Sequence, residues 1–187
     1  MTKKEPLSIR LEKDFIRHRA MKRKNMDQEK IILDVKVFAK RAHANDIRKF
    51  GADKGKSYFD THVTRVSQRA LDMGATEEQY LAALLHDVKE DHPEHWSEEV
   101  LKGFGVTQLT LDIVDAVTKR KGENYFDFIQ RIIKTPDAIL VKIADIQDNI
   151  SDLNEGSMKD KYRFALHMLK SEKNCNDWVT ASNEGNV

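Results

Sequence analysis

TEEQYLAALLHDVKEDHP, residues 76–93, is the stretch on which the reading of this chain turns. Thr76 followed three residues later by Gln79 is a capping box, so a helix starts here. Tyr80, Leu81, Ala82, Ala83, Leu84 and Leu85 carry it into a core, and Pro93 stops it. Yet the apolar run passes directly into His86, Asp87, Glu90 and Asp91. A core excludes charge unless the charge is paired or bound to an ion. Either the helix leaves for water at this point, or this is a site.

Working outward, the other segments also read as helices. "DQEKIILDVKVFAKRAHAN" has a cap at Asp27 and apolar residues at helical spacing. A polar loop, "KFGADKGKS", separates it from "YFDTHVTRVSQRALDMG", where His62, Val63, Val66 and Ala70 share a stripe that stops at Gly74. Downstream, Ser97 caps a short segment. "TLDIVDAVTKRKG", "YFDFIQRIIK" and "PDAILVKIADIQDNISDL" follow, the last with Pro136 in its first turn. "MKDKYRFALHMLKSEKNCNDWV" closes the series. Period-two strand patterns are scarce, so the expectation is an all-α, compact single-domain helical bundle. Its parts read as a basic N-terminal helical extension (1–26), the domain proper (27–178) and a flexible tail (179–187).

Composition narrows the classes of function. The chain has 187 residues, enough for one domain with a proper core. Lys and Arg number 32 against 31 Asp and Glu, so there is no global pull toward nucleic acid or anionic membrane. No apolar run approaches the roughly 20 residues of a membrane span, and no secretory signal is recognised. A single cysteine, Cys175, excludes an internal disulfide and suits a reducing, cytoplasmic setting. Residues 1–26 hold nine Lys/Arg against three acids, with Leu7, Leu11, Phe15 and Met21 as a helical stripe. That pattern reads as a solvated helix packed on the domain, able to steer an anionic ligand, rather than as a nucleic-acid arm. Long apolar helix faces are compatible with a homo-oligomer.

Two further residues share the oddity of His86 and Asp87. His62 lies among Tyr58, Phe59, Val63 and Val66, and Asp145 sits inside the apolar helix "LVKIADIQDN". Two imidazoles and two carboxylates suit a borderline ion such as manganese, iron or zinc. Taken singly, each has a blander account: Lys142 stands three residues from Asp145, and five other histidines show how easily one is incidental. One shared ion explains all four placements together. On an unbroken helix Glu90 would lie one turn below His86, and Asp91 one turn below Asp87.

The order H…HD…D resembles the HD superfamily of metal-dependent phosphohydrolases, and within it the (p)ppGpp hydrolase domain of RelA/SpoT-type proteins, the small alarmone hydrolases and the metazoan SpoT homologue. "AKRAHANDIRKFGADKGKSYFDTHVTRV" is similar to that family's AxxAHxGQxRKxGxPYxxHPxxV, "LAALLHDVKED" to AALLHDxxED, and "LVKIADIQDNISDL" to KLADRxxNMxxL. His62 precedes His86 by 24 residues and Asp145 follows Asp87 by 58, close to the family's layout. The resemblance implies a helical HD fold with His62, His86, Asp87 and Asp145 as metal ligands. Glu90 and Asp91 would orient and deprotonate the attacking water. Arg48, Lys49, Tyr58, Lys142 and Asn149 would contact a nucleotide substrate. It implies manganese first, with iron, zinc or magnesium compatible, and hydrolysis of the 3′-pyrophosphate of the guanosine alarmone by a stand-alone hydrolase.

The chain departs from the family pattern at Lys89 (usually apolar), His92 (usually Thr), Val63 (usually Pro) and Asn45-Asp46 (usually Gly-Gln). These leave open an HD nucleotidase or dNTP phosphohydrolase acting on another nucleotide. They also leave open a non-catalytic nucleotide-binding or partner-binding module, the reading that Lys89 favours if its charge faces the ligands.

Overall fold

In a computed structural model, the backbone is described over residues 7–184 and the side chains over residues 21–174. Nine α-helices and one π-helical turn make up the described chain: α1 (Leu7–Ala42), the π turn (Phe59–Val63), α2 (Thr64–Asp72), α3 (Glu77–Leu85), α4 (Val88–Asp91), α5 (Glu98–Phe104), α6 (Gln108–Val117), α7 (Tyr125–Ile133), α8 (Pro136–Asp152) and α9 (Ser157–Glu184). The only β pairing among the described residues is an isolated bridge between Ile47 and Ser57. No described helix is long and apolar enough to cross a membrane.

The punctuation follows local chemistry. Thr76 and Gln79 form the reciprocal capping box. Ser97, Thr107 and Asn124 each accept a backbone N–H at the start of their helices. Pro136 occupies the first turn of α8. Gly74 takes a positive φ of 82° just beyond α2, a conformation that costs a side-chain-bearing residue about 1–2 kcal/mol.

α8 is the axis of the bundle, packing against α2, α3, α6, α7 and α9. Ala138, Ile139, Leu140, Val141, Ile143, Ala144 and Ile146 are buried all round it, as a central helix requires. α3 presses Leu81, Ala82, Leu84 and Leu85 into the same core, which also takes Val66, Ile113, Phe128 and Leu169. Each such fully buried aliphatic side chain contributes roughly 1.5–3 kcal/mol relative to exposure.

Three local features differ from the sequence expectation. α1 has no break at Asp27: residues 21–27 contain neither Gly nor Pro, so the helix from Leu7 runs straight through, and among its described side chains burial begins near Ile31. Met21 is 59% exposed and Lys22, Arg23 and Lys24 face solvent, whereas the stripe of Leu7, Leu11 and Phe15 lies outside the described side chains. Cys175 and the side chains of the tail 179–187 lie outside them too.

The second difference is at His62. Its segment opens with a π turn in which Thr64 N–H donates to Phe59 C=O, one residue further back than in an α-helix. Such turns recur at functional sites. The third is in the opening stretch, where α3 ends at Leu85 and α4 begins at Val88. The His86 imidazole donates from Nδ1 to Ala83 C=O at 2.8 Å, a carbonyl that an unbroken helix gives to the Asp87 N–H. The backbone therefore loosens at the His86-Asp87 pair.

Candidate active site

His62 from the π turn, His86 and Asp87 from the α3–α4 junction and Asp145 from α8 meet in the interior. His86 Nε2 lies 2.8 Å from Asp87 Oδ2 and 3.3 Å from His62 Nε2. His62 Nε2 is 3.5 Å from Asp87 Oδ2 and 3.4 Å from Asp145 Oδ1, and His86 Nε2 is 3.9 Å from Asp145 Oδ1. Ligands held around one ion by bonds of about 2.0–2.2 Å are spaced in this way.

Each ring is held from behind. His62 Nδ1 donates to Asp148 Oδ2 at 2.7 Å, and His86 Nδ1 to Ala83 C=O. With the protons on Nδ1, the two Nε2 atoms face each other at 3.3 Å, a contact that either a shared proton or a bound cation relieves. The carboxylates are oriented likewise. Tyr58 OH donates to Asp87 Oδ2 at 2.6 Å, while Asn149 Nδ2 and Lys142 Nζ donate to the two oxygens of Asp145 at 2.6 and 2.7 Å. Outer partners of this kind fix tautomer and ligand direction. The donor set, its spacing and its backing fit a divalent metal ion, which His62, His86 and Asp87 could hold together, with Asp145 Oδ1 beside both imidazoles.

The electrostatics agree. Burial alone would lower the pKa of His62, but Asp145, Asp148 and Asp87 push it up to about 10. Burial would likewise raise Asp87 and Asp145, yet the imidazoles, with Lys142 beside Asp145, hold both low. The pocket is thus a concentration of negative charge that stabilises any cation placed in it.

Sequence reasoning missed the group behind the ligands. Asp148, fully buried, receives His62 and is braced by Arg65 at 2.7 Å, Arg69 at 3.4 Å and Arg48 at 3.5 Å. Arg65 also reaches Asp53 and Asp152. The available signal was spacing: Arg65 lies three residues after His62, and Asp148 three after Asp145, on the faces that carry the ligands.

A cavity of about 530 Å³ opens beside the centre, lined by Asp46, Arg48, Lys49, Tyr58, Asp91, His92, Asn149 and neighbours. Among the expected substrate contacts, Arg48, Lys49, Tyr58 and Asn149 line it. The Arg48 guanidinium is already engaged with Asp152 at 2.9 Å and Asn149 at 3.1 Å, and the Tyr58 hydroxyl is turned toward Asp87. Lys142 faces Asp145, with its ammonium over the Phe128 ring, so it acts on a ligand carboxylate and not on the cavity.

The acidic pair separates. Asp91, exposed like Glu90, lines the cavity, where partial burial of its carboxyl, followed by the charges of Asp87 and Glu90, raises its pKa to about 6. Glu90 is exposed and accepts the backbone N–H of Lys119 at 2.7 Å. Lys89 turns away from the ligands to pair with Asp115 at 2.5 Å, which removes the feature that spoke against a metal.

The sequence pattern of the HD domain matches residues 59–151, the span from the π turn to the end of α8. The chain is 32% identical over 124 residues to a guanosine-3′,5′-bis(diphosphate) 3′-pyrophosphohydrolase of Aquifex aeolicus, covering 62% of this chain and 17% of that protein. It is also 32% identical over 152 residues to the bifunctional (p)ppGpp synthase/hydrolase SpoT of Escherichia coli, covering 77% and 21%. The chain therefore spans about a fifth of the length of these curated relatives. A solved structure described as a metazoan ortholog of SpoT that hydrolyzes ppGpp superposes with a TM-score of 0.59 at 22% identity, covering 76% of this chain and 85% of that one. Helical architecture, the matched span and the convergence of two histidines and two aspartates all lead to the same place: this chain belongs to the HD-domain family.

Proposed function

We propose that the chain hydrolyses the 3′-pyrophosphate of guanosine 3′,5′-bis(diphosphate), with His62, His86, Asp87 and Asp145 holding manganese. The observation that carries the reading is the meeting of those four side chains beside an open cavity on whose wall Asp91 stands. The 32% identity to the Aquifex aeolicus pyrophosphohydrolase supports the substrate class.

A divalent ion bound at the four ligands supplies Lewis acidity, easing ionisation of water and drawing charge from phosphate oxygens. The chain's residues supply the rest. Asp91, ionised above about 6, accepts a proton from the attacking water. The water oxygen bonds to the phosphorus attached to the ribose 3′-oxygen, and the P–O3′ bond breaks with its electron pair on O3′. O3′ takes up a proton in place of the one Asp91 accepted, and the products are the 3′-hydroxyl nucleotide and pyrophosphate. Lys49 at the cavity wall and the engaged Arg48 offset the charge on the phosphate oxygens. Glu90, tied to the Lys119 backbone, holds the turn beside Asp91 and adds to the field that raises its pKa.

The test is product analysis, for pyrophosphate, tripolyphosphate and orthophosphate, of one manganese-loaded preparation offered guanosine 3′,5′-bis(diphosphate), deoxynucleoside triphosphates and NADPH. Turnover of the first alone is expected. Turnover of a deoxynucleoside triphosphate in its place redirects the assignment to an HD nucleotidase, and turnover of none leaves a binding module.

A further inference from the structure

We propose that His43, Asp46 and His92 form a second divalent-metal site, at the mouth of the cavity and separate from the four-residue centre. One ligand atom from each of the three lies within 4.8 Å of the others. Asp46 Oδ2 is the meeting point, 2.7 Å from His43 Nδ1 and 2.6 Å from His92 Nε2. These edges resemble the 2.8 Å between His86 Nε2 and Asp87 Oδ2 in the first centre. The same chemistry, two imidazoles converging on one carboxylate oxygen, thus occurs twice.

The surroundings also suit an ion. His43 is buried at the end of α1, whereas Asp46 and His92 are part-exposed and line the cavity, which leaves coordination positions facing the opening. His92 is backed from behind: its Nδ1 lies 3.3 Å from Glu94 Oε1, the outer-carboxylate arrangement that directs a ligating Nε2. His43 has no acceptor for its Nε2 among the described residues, so its ring is positioned from the Nδ1 side and by packing against Tyr58 and His92. Asp46 and His92 are two of the places where this chain departs from the pattern it resembles. They stand 46 positions apart in sequence, yet they touch.

The ion class follows from the donors. Two imidazoles and one carboxylate favour zinc over the harder manganese, which prefers more oxygen. An ion held here faces the same cavity as Asp91, within the space open to a phosphorylated ligand.

The experiment is zinc titration of the metal-stripped full chain, with bound zinc counted after gel filtration. The wild type, His92→Ala, Asp46→Asn and His86→Ala are compared, and the melting temperature of each metal-free protein is recorded. Two zinc ions per chain in the wild type and one in each of the three variants is the expected result. Asp46→Asn keeps the side-chain shape, so it provides the reading if His92→Ala melts early. One ion in the wild type, or a count unchanged by both mouth substitutions, overturns the proposal. The His86→Ala count reports the first centre alone, so failure there is told apart from failure at the mouth.

Discussion

At the centre, the side chains of His62, His86 and Asp145 are 1%, 3% and 6% exposed and that of Asp87 22%, and every ligand has a partner that fixes its direction. At the mouth, Asp46 is 32% and His92 18% exposed, while Lys49 and Asp91 line open space. The two regions adjoin one cavity but are built to different tolerances. A centre with three buried ligands, and with all four backed, leaves no alternative arrangement when one is removed. Of the positions that differ from the pattern the chain resembles, Asn45-Asp46 and His92 lie at the mouth, whereas Val63 is buried beside His62 and Lys89 pairs with Asp115. On the proposed function, the centre would govern whether hydrolysis occurs and the mouth on which nucleotide.

The contrast can be broken most sharply at His86. His86→Ala removes a ligand with no substitute within reach, and we expect loss of first-centre metal and a fall in hydrolysis of roughly 10³-fold or more, read by metal analysis and pyrophosphate release. Retained metal and activity would end the distinction between the regions.

Asp91 comes next, on the boundary between them. Its carboxyl carries a pKa raised to about 6, so its basic form exists above that pH and turnover should rise as pH increases through 6. Asp91→Asn should lower turnover by about 10²–10⁴-fold and abolish that limb of the pH profile.

Asp148→Asn probes the backing of the centre. It leaves His62 Nδ1 with a weaker acceptor and Arg65, Arg69 and Arg48 without their shared carboxylate. A stability loss of roughly 3–5 kcal/mol is expected in denaturant titrations, with metal affinity lower by about 10–100-fold. Acid should act in the same direction. Against burial, which would raise it, His62 and Arg65 hold the Asp148 pKa below the ordinary value. The stability it lends is thus complete above about pH 4 and is lost as pH falls further.

The smallest effects should come from two lysines. Lys49→Ala should raise KM several-fold without moving the melting temperature, since the side chain lines the cavity and not the core. Lys89→Ala should leave metal content unchanged and shift stability by no more than about 1 kcal/mol, the scale of an exposed ion pair.

Much of this architecture was legible before any coordinates. Thr76 with Gln79, Ser97, Gly74 and Pro136 mark boundaries through local chemistry that acts within a few residues, and the structure places those boundaries where they say. The four candidate ligands were legible because each sets a polar group in an apolar stripe. What was illegible depends on partners distant in sequence. Arg48 reads as a free cation for phosphate, but Asp152, 104 residues away, occupies it. Lys142 is the contrasting case: its pairing with Asp145, three residues on, was open to reading from spacing, and the structure shows it at 2.7 Å. Nothing in the periodicity of residues 76–93 reveals that the His86 ring takes the Ala83 carbonyl and loosens the helix. Asp27 reads as a cap because capping residues also occur inside helices, and only the continuous backbone separates the two cases.

The turn at Phe59–Val63 makes this part of the chain sensitive to length. Its hydrogen-bonded ring holds one residue more than an α turn, which sets the angular offset between Tyr58 and the helix that follows. Deleting a single residue there would let an ordinary α turn form across the join and change the directions in which Tyr58 and His62 point relative to α2. Tyr58 and His62 could then no longer both address Asp87. Descendants of this sequence should accept insertions in the polar stretch 49–57, yet keep the count from 58 to 64 fixed.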